Sequence, residues 1–354
     1  MSPVRARSLI LRLHGPWLPL LNYEPASESS GAGSVLSGVS GTDDEAPKLD
    51  PIGGQALIEG VLMRAPGRIA VAARAPDGTI AVEGRDFIPF AKRHPLLALP
   101  VLRGAASLVE ALSVGARALS WSAGIQEKGT ADPDHLAPPT SLKDKAISTV
   151  TLVGSIALAL GLFQLLPYGA ASILAGGSRE HPANPLLFNA SAGIVRIALL
   201  IGYMWALSFL PDVRRLFQYH GAEHKSIFSH EGGFGLTPEA IERQPRFHPR
   251  CGTSFILIVA LTCVLFFSLF DAVMLHGLGY AYPNFLVRFL IHLPFVPVVA
   301  GLSFELLKLS AKRQDSAWVR AMTKPGLWLQ RITTREPDRD QIEVAIVSAK
   351  AALG

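Results

Sequence analysis

The sequence is poor in charged residues and in cysteine, and each shortage argues against a class of protein. Charged side chains make up only 17% of the 354 residues, whereas apolar residues make up 49%. An average soluble domain carries about 25% charged residues, so the composition disfavours a soluble globule with a fully solvated surface. The two cysteines, Cys251 and Cys263, are too few for a disulfide-stabilised scaffold. The composition therefore favours a membrane protein.

Basic residues are also few for a nucleic-acid-binding protein, so no nucleic-acid partner is expected. The formal net charge is +5, and no stripe of Lys and Arg interleaved with aromatic residues is present. The apolar stretch near the N-terminus is interrupted by Arg12, His14 and two prolines, and no small-residue cleavage pattern follows it, so it does not predict a signal peptide. Residues 1–50 are expected to form a disordered leader, because their second half has too little apolar surface to offset the entropy of ordering.

Four apolar stretches approach the roughly 20 residues that a transmembrane helix needs. We predict a four-helix membrane bundle over residues 146–310, with spans at Ala146–Leu166, Ser191–Pro211, Ser254–Leu275 and Pro283–Leu309. From residue 51 onward, the segments before, between and after these spans hold eleven, one, six, none and eight Lys and Arg residues. By the positive-inside rule this alternation places both termini in the cytoplasm.

Three further segments surround the bundle and are expected to lie on its cytoplasmic side. Residues 51–93 predict a small β-rich segment, in which Arg68–Ala75 and Thr79–Asp86 form a hairpin around the turn Pro76-Asp77-Gly78. Residues 94–127 predict an amphipathic interfacial helix, with a fifth span as the alternative. Residues 311–354 predict a cytoplasmic amphipathic tail. The fold class is thus mainly α, with four transmembrane helices, interfacial helices and a small N-terminal β-hairpin region.

A histidine motif lies in the second cytoplasmic loop, residues 212–253. The string from Tyr219 to Lys225 contains H-x-x-E-H, so His220 and His224 lie one turn apart if this segment is helical. Two imidazoles at that spacing bind one metal ion, while the intervening Glu223 is placed to accept a proton from water activated by the metal. The same order of residues occurs in inverzincins. The alternative is a solvated, positively biased helix face.

A second group of possible ligands precedes the third span. His248 and Cys251 are three residues apart, and a cytoplasmic cysteine stays reduced and free to bind metal. Glu305, near the end of the fourth span, is predicted on the same side of the membrane. Two histidines with one carboxylate would leave a coordination position open, whereas two or three histidines with the cysteine could close the site. The alternatives are a simple turn around His248 and an ion pair for Glu305.

Several strings resemble the domain of unknown function 1385 family, whose members are bacterial membrane proteins described as predicted metal-dependent enzymes. They are residues 51–64 (PIGGQALIEGVLMR), 219–225 (YHGAEHK), 248–255 (HPRCGTSF), 301–305 (GLSFE) and 325–330 (PGLWLQ). Phe304 stands where the family pattern leads us to expect Tyr. The resemblance runs from about Pro51 to Ile346 and implies a metal-dependent enzyme in the bacterial cytoplasmic (inner) membrane, without a substrate.

The first of these strings places Gln55, Glu59 and Arg64 among apolar residues. If it docks against the histidines, Glu59 is a candidate ligand or proton shuttle; the alternative is the structural start of a hairpin. The sequence favours a membrane metal-dependent hydrolase with a divalent ion, zinc being the expected one, and an amphipathic or peptide substrate. The alternative is a non-enzymatic assembly or scaffold protein with a structural metal site. A transporter ranks last, because the middles of the spans are almost entirely apolar.

Overall fold

The computed structural model describes residues 51–128, 161–175, 184–312 and 317–354, with a few further positions between 146 and 158. Within these ranges the protein is mainly helical and carries one small antiparallel sheet at its N-terminal end. The predicted leader, residues 1–50, lies outside the described residues. Eight of the 21 positions of the first predicted span, Ala146–Leu166, do so too.

The sheet has four strands in sequential order, each antiparallel to the next. The strands are β1 Gly53–Leu57, β2 Gly60–Ala65, β3 Arg68–Arg74 and β4 Ile80–Asp86. The predicted hairpin corresponds to β3 and β4, whose turn contains Gly78 with a φ of 87°, a conformation that glycine adopts without strain. The hairpin is therefore confirmed as half of a larger sheet.

The helices of the described residues are α1 Phe90–Arg93, α2 Leu102–Lys128, α3 Leu166–Ala175, α4 Pro185–Leu207, α5 Pro211–Glu231, α6 Pro238–Glu242, α7 Gly252–Ala272, α8 Phe285–His292, α9 Val296–Lys312, α10 Ala317–Thr333 and α11 Arg339–Leu353. A π-helical turn, Gly161–Leu165, leads into α3, and another, Val273–Gly277, extends α7. Short 3₁₀ segments lie at Pro95–Ala98 and Leu293–Phe295.

Three helical stretches in the described residues are long and apolar enough to cross a membrane. They are Leu186–Leu207, Phe255–Gly277 and Leu286–Leu309, and they correspond to the second, third and fourth predicted spans. Only 17% to 28% of the most apolar window of each is buried inside the protein. Apolar surface exposed on this scale needs a lipid or protein cover. Helix α2 is not one of the three, and its position on the membrane surface stays a prediction.

The sheet is packed between helices on its two faces. Because side chains alternate along a strand, Val61 and Met63 of β2 join the core formed with α5 and α11, whereas Leu62 packs against Ala118 of α2. Helix α11 starts with a capping box between Asp338 and Gln341. The segments 51–93 and 311–354, which the sequence assigns to separate units, therefore share one core.

The start of α2 packs closely against α9, which belongs to the last candidate span. A Cβ atom at Gly104 would lie 2.8 Å from the Cα atom of Gly301, so both glycines are needed for this approach. Beside them, Arg103 donates from Nε to Glu305 Oε1 at 2.6 Å and forms a second bond to the other carboxylate oxygen. This contact joins the sheet-bearing half of the protein to the apolar helices.

Candidate metal centre

The histidine motif lies on its own helix, which begins where the second span ends. Helix α4 ends at Leu207, and Pro211 occupies the first turn of α5, a position where its missing N–H costs nothing. The motif is therefore helical, and its helix is separate from the helix of the second span. The spacing within α5 places His220 and His224 on one face, with ring centroids 4.4 Å apart.

Three side chains converge there with their ligand atoms within 4.8 Å of one another: His220, His224 and Cys251. The Nε2 atom of His220 lies 3.2 Å from the Cys251 sulfur. Ligand atoms around a tetrahedral zinc ion, with bonds of about 2.0 to 2.3 Å, are roughly 3.3 to 3.8 Å apart. The group therefore needs only a small contraction to hold a divalent ion.

Backbone carbonyls fix the orientation of both histidine rings. The Nδ1 atom of His220 lies 2.8 Å from the carbonyl oxygen of Thr333, and Nδ1 of His224 lies 2.6 Å from that of Arg246. A carbonyl can only accept, so each Nδ1 carries the proton and each Nε2 presents a lone pair to the cluster. Metal-binding histidines are held in this way by their outer partners.

One buried nitrogen of the cluster, Nε2 of His224, is the atom that a bound cation would satisfy. His224 is 1% exposed, and its Nε2 makes no conventional hydrogen bond within the described residues. Burial is the main cause that lowers the pKa of His224, which favours the neutral, ligating form. A buried polar atom without a partner is costly. The donor set, two neutral imidazoles and a thiol, fits zinc or a similar divalent ion.

Glu223 lies beside the cluster and is covered by the first strand. A Cβ atom at Gly54 of β1 would meet Glu223 Cγ at 2.7 Å, so only glycine allows the carboxylate to pack there. Burial raises the pKa of Glu223 to about 7, partly opposed by the charge of His220. Its Oε2 has no hydrogen-bond partner in the part of the chain that the structure describes. A carboxyl with these properties can take up and release a proton near neutral pH.

With this geometry in place, the chain can be compared with known proteins. The profile of the family described as "Protein of unknown function (DUF1385)" matches residues 99–354. The chain belongs to this family. It is 34% identical over 309 residues to the "Uncharacterized protein YqhQ" of Bacillus subtilis (strain 168), covering 85% of this chain and 92% of that protein. No solved structure matches the chain. The family profile begins after the sheet, so the string at 51–64 lies outside it.

The string at 51–64 of this DUF1385 protein docks beside the motif, but its polar residues have other partners. Glu59 accepts two hydrogen bonds from Arg215 at 2.5 Å and one from Tyr219 at 3.2 Å. Gln55 packs against Gly115 of α2, where a Cβ atom would meet its Oε1 at 2.3 Å. Arg64 bonds to Glu110 of α2 at 2.8 Å. These three residues therefore hold α2 and α5 against the sheet, and the role predicted for Glu59 as ligand or shuttle gains no support.

Two of the predicted ligands lie outside the three-residue cluster. The Nδ1 atom of His248 accepts the backbone N–H of Arg250 at 3.3 Å, and its Nε2 faces Glu231 at 3.9 Å. His248 is buried next to His224, at 5.6 Å between ring centroids, but neither nitrogen is directed at the cluster. Glu305 is engaged by Arg103, so the structure gives no support for it as a ligand.

Sequence reasoning missed the residue that positions the His248–Cys251 turn, Gln330 of α10. Its Oε1 accepts the backbone N–H of His248 at 2.7 Å, and its Nε2 donates to the carbonyl of the same residue at 2.8 Å. Gln330 is fully buried. Gln330 is the last residue of the PGLWLQ string. A glutamine at the end of an otherwise apolar family string was the available signal for this role.

A second polar cluster, also missed, lies at the opposite ends of the spans. Asp271 of α7 accepts hydrogen bonds from Asn189 at 2.7 Å, from Tyr282 at 2.8 Å and from His292 at 2.9 Å, and it forms an ion pair with Arg288. Arg288 is 2% exposed. This cluster joins α4, α7 and α8 at the end of the spans away from the motif helix.

Proposed function

We propose that this protein is a metal-dependent hydrolase of the bacterial cytoplasmic membrane, with four spans, both termini in the cytoplasm and its site on the cytoplasmic face. The observation that carries the proposal is the convergence of His220, His224 and Cys251. The charge asymmetry of the loops supports the orientation, because Lys and Arg are concentrated in alternate segments.

His220 and His224 would hold the ion through Nε2, and Cys251 would hold it through its sulfur. A divalent ion bound there supplies Lewis-acid chemistry, which lowers the pKa of water and polarises a substrate carbonyl or phosphoryl group. Three protein ligands leave one position of a tetrahedral ion for water or substrate, the pattern of catalytic zinc sites. The closed, four-ligand pattern belongs to structural sites.

Glu223 is the proton-transfer group of the proposal. Its raised pKa and its unpaired oxygen suit a general base that takes a proton from the attacking water and returns it to the leaving group. Gly54 makes room for that carboxylate and keeps it shielded from bulk solvent. Such shielding strengthens electrostatic interactions within the site. Substrates would be amphipathic or peptidic, because the motif helix follows directly from a candidate span.

Metal analysis of the purified full-length protein tests the proposal. We expect stoichiometric zinc or another divalent ion in the wild type, and at least a tenfold lower content (about 1.4 kcal/mol or more in binding) in His220→Ala, His224→Ala and Cys251→Ser. His276→Ala is the matched control, because this exposed histidine lies beyond α7 and should leave the content unchanged. A wild-type protein that takes up no divalent ion after reconstitution would contradict the proposal.

X-ray absorption on the loaded protein separates the hydrolase from the scaffold alternative. An open site would show one sulfur ligand, two imidazole ligands and one light-atom ligand that is lost when the sample is dried. A structural site would show four protein ligands. Glu223→Gln should retain the metal in both cases. Only the hydrolase requires Glu223 for turnover.

Changing Gln330 should weaken metal binding without removing a ligand. Gln330→Met keeps the size of the side chain but removes both bonds to the His248 backbone. We expect the affinity for zinc to fall about 10- to 100-fold, as for other outer-shell partners. Competition with a chromophoric chelator measures this affinity. Gln126→Met is the control, because Gln126 is a half-buried glutamine of α2 whose Nε2 also donates to a backbone carbonyl, that of Arg74, at 2.7 Å. Equal affinities in the wild type and Gln330→Met would show that the turn needs no such support.

A further inference from the structure

A cavity of about 370 Å³ lies between the sheet and α2, on the face opposite to the motif helix. Its floor is apolar and includes Leu62, Val71, Val114, Ala118 and Trp121. Pockets for small molecules begin at about 300 Å³ and combine such a floor with a few polar groups. The cavity is therefore large enough for part of a small organic ligand and is separated by the sheet from the proposed metal centre.

Charged side chains of one predominant sign line the same cavity. Arg85 of β4 and Arg117 of α2 both line it, and Glu83 of β4 is the acidic member of the lining. Burial is the main cause that lowers the pKa of Arg85, followed by the charge of Arg117, and Arg93 adds to the effect. Burial likewise raises the pKa of Glu83. Two like charges kept close at the edge of an apolar cavity favour an anionic group there.

Helix α2 connects this cavity to the membrane surface. Its exposed apolar residues, Leu102, Val109, Leu112 and Leu119, form one stripe at about 100° per residue. Arg117 lies on the helix between this stripe and the side that packs on the sheet. The start of α2 contacts the last candidate span through Gly104 and Gly301. A helix with such a stripe is expected to lie in the membrane interface, which would place Arg117 at the depth of lipid head groups.

We propose that the cavity between the sheet and α2 binds an acidic phospholipid, with the phosphodiester held by Arg85 and Arg117 and the glycerol and upper acyl region over the apolar floor. Arginine suits this role because its planar fork makes two parallel bonds to phosphate oxygens. Among the described lining residues, two guanidinium groups stand beside one carboxylate, so the lining favours a head group with a net negative charge. Phosphatidylcholine carries the same phosphodiester but adds a choline cation, which the two arginines repel, and free phosphate makes no use of the apolar floor. The bound lipid would fix the sheet against the membrane.

The test uses the full-length protein in detergent, with thermal stability followed as lipid is added. Phosphatidylglycerol should raise the melting temperature more than phosphatidylcholine or inorganic phosphate does. In the double variant Arg85→Gln/Arg117→Gln the apparent affinity for phosphatidylglycerol should fall at least about tenfold. The matched control, Arg214→Gln, removes one exposed charge from α5 and should respond like the wild type.

A second variant fills the cavity and leaves the arginines in place. Ser120 is exposed at the edge of the cavity, so Ser120→Phe should fold normally and still lose the response to phosphatidylglycerol. Three results would each overturn the proposal: equal stabilisation by phosphatidylcholine, equal stabilisation by inorganic phosphate alone, or a full response in the folded double variant. All these variants should keep the metal content of the wild type. Failure of the lipid proposal is therefore distinguishable from failure of the proposed metal centre.

Discussion

Asp271→Ala should destabilise the protein by about 3 to 5 kcal/mol, the usual loss when one partner of a buried ion pair is removed. The substitution leaves the guanidinium of Arg288 buried at 2% exposure without its carboxylate. It also removes the acceptor for Asn189, Tyr282 and His292. Each of these donors would then have to find water or remain unpaired.

Unfolding in detergent by heat and by denaturant measures this loss. Asp86→Ala is the matched control, because Asp86 is exposed at the end of β4 and its removal should change stability by no more than about 0.5 kcal/mol. The double variant Asp271→Leu/Arg288→Leu should be more stable than the sum of the single losses predicts, since no charge is then left unpaired. A loss below about 1 kcal/mol in Asp271→Ala would mean that water reaches the cluster.

Three of the four predicted spans and the spacing of the histidine pair could be predicted because both depend on short-range patterns. The third predicted span, Ser254–Leu275, differs by one or two residues at each end from the structural stretch Phe255–Gly277. An apolar run of bilayer length specifies such a helix without knowledge of its neighbours. The spacing of His220 and His224 specifies a shared helix face in the same way. Cys251 is predicted as a possible ligand together with His248, and the structure brings Cys251, but not His248, to the histidine pair.

The partners that come from distant parts of the chain could not be predicted. The sequence leaves Glu305 open as a metal ligand or an ion-pair partner, and nothing in it identifies Arg103, which is 202 positions away, as that partner. The amphipathic pattern of the C-terminal segment indicated a helix, but not that its apolar face packs on the sheet. Contacts such as Arg74 with Glu343, 269 positions apart, depend on the whole fold. Likewise, nothing in the sequence links His292 to Asp271, which it contacts at 2.9 Å.

Gly221→Ala should disrupt the proposed metal centre from behind the motif helix. A Cβ atom at this position would lie 2.0 Å from the carbonyl oxygen of Arg335, and a backbone atom cannot rotate away. The same segment is fixed to α5, because the Arg335 N–H donates to the carbonyl of Phe217 at 2.8 Å. Two residues earlier, the carbonyl of Thr333 orients His220. Any displacement that relieves the clash therefore moves the partner of a proposed ligand.

We expect Gly221→Ala to cost about 3 kcal/mol in stability, at the upper end for overpacking, and to lower zinc affinity at least tenfold (about 1.4 kcal/mol). Gly202→Ala is the matched control: Gly202 lies within α4, a Cβ atom there has nothing within 4 Å, and alanine should be neutral or stabilising by up to about 1 kcal/mol. Denaturant unfolding and chelator competition on the same samples measure both effects. If Gly221→Ala is as stable as the wild type and binds zinc equally well, the segment after α10 does not orient His220. If the affinity for zinc falls by more than the loss of stability can explain, this segment is part of the metal centre.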